Sequence, residues 1–522
     1  MTPEYQYVTE AEDTIKKVID AHLEKAPLRL LDTSTGRLCN QDAQRDAFME
    51  SKEYSEILYS SMTHTPLHEI KNVVAKYFSW VMLSHRWGKE EPTVHDIQGK
   101  VVYQLKGVAG IEKLQMFCKK ARGMGYRWAW SDTCCIDQKN PVEVQRSVNS
   151  MFVWYRQSAL TIVYLSDVSP SVKWGALANS VWTTRGWTVQ EFLAPKVILF
   201  YHKDWNLYLN DRSPNHKESP TIMKELEHST GINATTFATF NPGMRGAREK
   251  LRWASHRVTT MPEDIAYSLF GIFGVQLPVN YGEMKQQAIG RLLQEIIARS
   301  GDITSLDWVG KPSEFNSCLP AEITSYTTPS HTPPSLSAKE MQKSISMLQK
   351  TVAEKAALKL YTLLDNLSAP RFANSRLHLP CITFAITEVK QQRGKGQGTN
   401  FTYRVKADGL QDLSIFTDDK LAQFSPTQPT PQAFFLVCPW NRQDFGLLDF
   451  ANGAQGAKDG LDSFSRALKL IVRLGQPFTA LLLAQQRGSE YKRIASDHSI
   501  TAEVKNMTAV RDLMGVKMLE IL

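Results

Sequence analysis

Cysteine is scarce in this 522-residue chain, and the few present have no pattern. Cys39, Cys118, Cys134, Cys135, Cys318, Cys381 and Cys438 are scattered, odd in number and without a Cys-x-x-Cys pair. That excludes a disulfide framework and a structural zinc site, so no metal is expected, and it fits a reducing compartment. Long apolar runs are missing too. No stretch of about 18 apolar residues is there to span a bilayer, and residues 1–20 lack the apolar centre of a secretion signal. A soluble cytoplasmic protein with no membrane role is the expectation. A dense basic run is also absent: 61 Lys and Arg stand against 53 Asp and Glu, and the net charge of +8 is spread along the chain. Nucleic acid is therefore not expected as a partner.

What remains is a folded composition, 42% apolar and 22% charged, long enough for roughly two to four domains. The chain is organised around VWTTRGWTVQEFL, residues 181–193. It reads as a short helix with Trp187 and Glu191 four residues apart, hence on one face. Pro195 ends it, and VILFY (197–201) follows as a buried strand. Two readings of Glu191 are open on residue type alone: a carboxylate lining a pocket beside an aromatic ring, or a solvated residue on a helix that packs through its Trp.

Upstream, residues 1–73 form a mixed approach segment containing LRLLDTSTGRL, a strand and a Thr-Gly turn. FSWVML (78–83), RWAWSD (127–132) and LTIVYL (160–165) are short strands, apolar enough to be covered on both faces. Helices separate them. Ile111, Leu114, Cys118 and Ala121 share one helical face. Asn140, Pro141 and Glu143 open another helix whose inner stripe is Val144, Val148, Met151, Phe152 and Tyr155. Strands alternating with helices predict an α/β fold, a parallel sheet with helices on both faces. In such sheets ligands gather beyond the carboxyl ends of the strands. Those ends carry Ser84, His85, Arg86 and Trp87, then Asp132 to Asp137, then Asp167, with Glu191 beside them.

Residues 74–206 are thus one domain and 207–310 an added helical layer packed on it. That layer includes a helix from Thr260, opened by the box Thr260-x-x-Glu263, and another from Met284. Residues 311–338 are rich in Ser, Thr and Pro and read as a linker. Residues 339–522 read as an α+β domain: a long helix over 339–367, then strands near 382–389, 401–406, 434–437 and 479–483.

Several side-chain groups are of a type that can carry chemistry. RGKGQG (393–398) lies between two strands with no helix behind it, so it reads as a hairpin turn rather than a phosphate loop. Cys134 and Cys135 read as buried small apolar residues before they read as nucleophiles. Asp132 and Asp137 lack a third metal ligand and read as turn-fixing carboxylates. Arg86, Lys89 and Arg185 suit phosphate groups and equally suit a solvated, ion-paired surface. Trp87 and Trp187, at strand ends, are placed to stack on a flat ring, while most other tryptophans belong to the core.

WVMLSHRWGKEEPTVHDI (80–97), YRWAWSDTCCIDQ (126–138), VYLSDV (163–168) and WTTRGWTVQEFLAP (182–195) together resemble the heterokaryon-incompatibility (HET) domain of filamentous fungi. RVTTMPEDIAYSLFGIFGVQLPVNYGE (257–283) resembles the segment that commonly follows it. More distantly, VMLSHR (81–86) and Trp187-x-x-x-Glu191 are similar to the first strand and the Trp-Cys-x-x-Glu helix of Toll/interleukin-receptor (TIR) domains, with Thr188 in place of the cysteine. The resemblance implies a TIR-like, flavodoxin-like sheet and a role in self/non-self recognition and cell death, a form of innate immunity. It also implies an NAD glycohydrolase in which Glu191 is catalytic. Ser84, His85, Arg86, Trp87, Lys89, Asp132 and Trp187 would then meet the substrate, with NAD as substrate and no separate cofactor. The alternative is a non-enzymatic module that self-associates and signals through a protein partner recognised by the carboxyl-terminal domain.

Overall fold

The structure, a computed structural model, describes residues 3–61, 66–171, 174–329, 336–349, 354–392, 400–440, 459–505 and 515–522. These fall into two compact units. The first comprises Met1–Gly243, Arg257–Thr260 and Tyr267–Asn280; the second comprises Met244–His256, Met261–Ala266 and Tyr281–Leu522.

The first unit is built on a six-stranded sheet: β1 (Arg29–Asp32), β2 (Arg37–Asn40), β3 (Trp80–His85), β4 (Trp128–Trp130), β5 (Leu160–Leu165) and β6 (Ile198–His202). Their order is β2-β1-β4-β3-β5-β6. The strands from β4 to β6 pair in parallel, as their apolar runs predict. Every residue of β3 is buried, which requires cover on both faces. Counted from β3, the parallel strands lie in the order 2-1-3-4, a doubly wound arrangement with its switch point between β3 and β5. One departure concerns residues 29–40. The approach segment supplies a hairpin whose β1 pairs antiparallel with β4, extending the sheet. Gly36 makes its turn at φ +71, and a Cβ there would come within 2.8 Å of the Tyr103 ring, so both backbone and space call for glycine.

The helices begin where capping side chains place them. The Asn140 side chain accepts from Val142 N and Glu143 N, and Pro141 occupies the first turn of Pro141–Gln157. Glu143 does not complete a capping box. Its carboxylate pairs with Arg29 and accepts from Asp137 N. The segment expected as a single helix over 181–193 is two pieces, a 3-10 turn over Val181–Thr184 and an α-helix over Thr188–Leu193. The interruption has a partner: Val258 N donates to Thr184 O and Gly186 N donates to Val258 O, so the chain there binds another segment instead of itself.

The second unit departs further from expectation. Residues 281–309 and the stretch read as a linker up to residue 329 belong to it. Cys318, Leu319, Ile323 and Tyr326 are buried, and burying apolar side chains contributes about 1.5–3 kcal/mol each. Those four residues anchor a segment whose Ser/Thr/Pro content suggests freedom. Residues 330–335 lie outside the described residues. The helix expected from Thr260 is two short ones, Asp264–Tyr267 and, in the first unit, Phe270–Phe273; Glu263 accepts from Gly282 N. The helix expected over 339–367 is Ala338–Leu348 and Glu354–Asp365, with 350–353 outside the described residues.

The strands of this unit are β7 (Arg371–Ala373), β8 (Arg376–Gln392), β9 (Phe401–Ala407), β10 (Leu413–Thr417), β11 (Phe434–Pro439), β12 (Phe478–Gln485), β13 (Glu490–Ile494), β14 (Ile500–Ala502) and β15 (Gly515–Ile521). The 17 residues of β8 pair with β15 and β11 in its first part and with β9 beyond an irregularity near Ile386. Because β13 also pairs with β15, the ladder β8-β11-β12-β13-β15 closes on itself. Alternation along β8 sends Leu377, Leu379 and Cys381 into one apolar cluster and Ile382, Phe384 and Ile386 into another. The expected RGKGQG turn lies outside the described residues; the strands flanking it, β8 and β9, pair antiparallel.

Candidate active site

Three side chains from distant parts of the first unit meet at the carboxyl end of β3. Ser84, the fifth residue of that strand, directs its hydroxyl at Glu191 Oε2, 2.5 Å away. Trp182 Nε1 donates to the same Ser84 oxygen at 2.8 Å. All three residues are buried, Glu191 at 5% exposure. Ser84 can be fully enclosed because its hydroxyl both gives and accepts a hydrogen bond.

Enclosure sets the charge state of Glu191. Burial pushes its carboxyl up to about 8 and the Asp132 carboxylate adds to the rise, while the Ser84 hydrogen bond and the Arg185 and Arg257 guanidinium groups hold it back. The protonated form predominates at pH 7. Arg257 is itself fully enclosed, and loss of water lowers it to about 9 against the pull of Glu191. It still carries its charge at neutral pH. Its Nη1 donates to Arg185 O at 2.9 Å and to Thr188 Oγ1 at 3.0 Å, and its guanidinium lies 5.5 Å from the Phe192 ring centre. A cation thus ties down the start of the helix that carries Glu191.

A second group sits one residue further along. His85 Nε2 meets Asp132 Oδ1 at 3.1 Å, and Trp87 Nε1 donates to Asp132 Oδ2 at 2.7 Å. His85 is buried, Asp132 partly so, and Trp87 is 45% exposed. Asp132 therefore organises the loop after β3 as well as biasing Glu191. Arg86 and Lys89 are exposed on that loop and form no ion pair among the described residues. Trp187 is half-buried and takes helical angles immediately before Thr188–Leu193, one turn ahead of Glu191. Asp167, at the end of β5, accepts from Ser180 Oγ and Val181 N at 2.8 and 2.7 Å and so fixes the turn leading to Trp182.

Both cysteines of the pair are buried. Cys134 lies against Cys135 and away from water, which holds its thiol well above the ordinary value. Among the described residues no group of His, Cys, Asp and Glu has the arrangement of a metal site, and no helix is long and apolar enough to cross a membrane.

Of the residues singled out from sequence, Ser84 and Glu191 come into contact, and His85, Trp87 and Asp132 form a linked group. Arg86 and Lys89 stay on the exposed loop. The sequence reading missed Trp182, counted there only as core, and Arg257. A clue to Trp182 existed: a buried indole needs an acceptor for its N–H. Arg257 had none, because the Val258 bridge that brings it to Arg185 is a purely tertiary pairing.

In this α/β unit, residues 80–175 match the family described as Heterokaryon incompatibility protein (HET). A particular relative is the vegetative incompatibility protein HET-E-1 of Podospora anserina, to which the chain is 36% identical over 239 residues. That match covers 44% of this chain and 17% of the relative's length. No solved structure matches the chain significantly.

Proposed function

We propose that the protein acts in fungal self/non-self recognition and triggers cell death by hydrolysing NAD at the nicotinamide–ribose bond. The observation that carries this reading is the buried carboxyl of Glu191 hydrogen-bonded to Ser84 at the end of β3, next to the switch point of a doubly wound parallel sheet. In such a reaction the C–N bond breaks, its electron pair neutralises the pyridinium nitrogen, and water adds to the ribose C1 and gives up a proton. An oxocarbenium-like centre develops on the ribose, and a nearby carboxylate lowers its energy. Glu191 is mostly protonated in the enclosed form, but the positive charge of a bound nicotinamide ring favours its ionisation. In this reading Trp87 and Trp187 supply flat faces, Glu191 holds the ribose hydroxyls, and the exposed Arg86 and Lys89 meet the phosphates. The seven free cysteines accord with action in the reducing cytoplasm.

One observation favours a second reading. A carboxylic acid at 5% exposure, sharing Ser84 with a buried indole, is also what a purely structural polar core contains. The domain would then self-associate and signal without catalysis, with a protein partner recognised by the carboxyl-terminal unit. Incubating the full chain with NAD and following nicotinamide release separates the two. Release that is lost in Glu191→Gln, with the variant folded at least as stably as the native chain, supports hydrolysis. No release even at protein concentrations that drive oligomers supports the non-catalytic module.

A further inference from the structure

The second unit holds a cleft of about 470 Å³, within the size range of small-molecule sites. Its floor belongs to the sheet. Leu421, Phe434, Ala484 and Ile494 all lie on the face that packs into one apolar cluster. Lys492 stands two residues from Ile494 on β13 and directly opposite Ala484 on β12, so strand alternation puts its ammonium-bearing chain on this same face. An exposed lysine across from the smallest side chain that keeps a Cβ leaves space and a positive charge together at the mouth of the cleft.

Two loops complete the rim, and both are held. Gly310 and Ser496 are joined twice, Gly310 N to Ser496 O at 2.8 Å and Ser496 Oγ to Gly310 O at 2.9 Å, which fixes Lys311 beside the cleft. The turn bearing Lys420 is fixed by Asp497, which accepts from Thr417 Oγ1 at 2.6 Å and Asp418 N at 2.7 Å, and by Asp419, which accepts from Ala495 N at 2.8 Å. The acids are thus occupied with backbone and hydroxyl donors, leaving Asp418 as the uncommitted carboxylate. Arg493 is turned away, its guanidinium donating to Leu306 O and Trp308 O and lying 4.0 Å from the Trp308 ring centre. Lys311, Lys420 and Lys492 are exposed and form no ion pair among the described residues. Three ammonium groups thus line the cleft beside Asp418, while the oxygens of Asp419 and Asp497 are engaged by their donors and Glu322 lies within electrostatic reach of Lys311.

We propose that this cleft binds a small oxyanion with at least two acid groups, its charge held by Lys311, Lys420 and Lys492 above the floor of Phe434 and Ile494. Rim positions fixed before binding reduce the ordering cost of capture. Phosphate and carboxylate share this chemistry, so both are tested. Calorimetric titration of the full chain at low salt with sodium pyrophosphate and with citrate is the experiment. Saturable binding of either anion is expected, weakened roughly tenfold by each of Lys311→Gln, Lys420→Gln and Lys492→Gln and further by added salt. Lys505→Gln, outside the cleft, should bind as the native chain does. The stronger of the two anions identifies the acid group. Absence of saturable binding by both, or binding untouched by the three substitutions, overturns the proposal. The substituted lysines are exposed, so an unchanged melting temperature will separate loss of the site from loss of the fold.

Discussion

Replacing Glu191 by Gln should change how stability depends on pH. The carboxyl rises from an ordinary 4.5 to about 8 on folding, chiefly through burial. Over that interval the folded chain keeps a proton that the unfolded chain has released. Stability must therefore fall as the pH climbs from about 4.5 and level off above about 8. Each pH unit is worth about 1.4 kcal/mol, so the interval amounts to roughly 5 kcal/mol at most. Gln has nearly the same shape and no charge, and its amide oxygen can accept the Ser84 hydroxyl as Oε2 does. At pH 5 the variant should match the native chain within about 1 kcal/mol, the ordinary net worth of one hydrogen bond. Toward pH 8 it should become the more stable of the two by several kcal/mol. Urea unfolding of both proteins at pH 5 to 8 tests this, because titrating groups not coupled to Glu191 cancel in the difference. Parallel profiles would show that Glu191 titrates like a solvated glutamate and would refute the account of its enclosure.

Ser84→Ala should cost about 1–3 kcal/mol, since it strands the Trp182 N–H and the Glu191 carboxyl without a common partner. The urea midpoint reads it, and an unchanged midpoint would mean that the hydroxyl contributes nothing. Gly271→Ala should lose about 1–3 kcal/mol, because the new Cβ would sit 2.2 Å from Phe152 Cβ and 2.8 Å from its Cγ. Gly123→Ala, in the last turn of Ile111–Gly123 with nothing within 4 Å of the new Cβ, should be neutral or gain up to about 1 kcal/mol. Thermal unfolding of the pair checks both, and equal melting temperatures would count against the packing at Gly271.

Much of this architecture can be read along the chain, and the parts that cannot share a cause. LTIVYL yields β5 over Leu160–Leu165 because its residues suit only a strand covered on both sides. Asn140-Pro141 starts a helix because a side-chain acceptor and a preset φ act within a few residues. The segment at 181–193 fails as a single helix because Val258 takes up its backbone at Thr184 and Gly186. Residues 311–329 read as a linker by composition yet pack through Cys318, Leu319 and Tyr326. Glu143 looks like a capping residue but pairs with Arg29, 114 positions away.

The sequence by itself determined the local elements of the parallel sheet and the residues at its carboxyl ends. Each of these depends on interactions between neighbours in the chain. Only the tertiary structure decided that Ser84, Trp182 and Glu191 share one hydrogen-bonded group and that Arg257 braces its helix. It also closed the strands of the second unit into a ring and turned Lys492 toward a cleft. The physical reason is range: hydrophobic period and capping act over a few residues, whereas burial, which moves the Glu191 carboxyl to about 8, is set by whatever the rest of the chain brings over it.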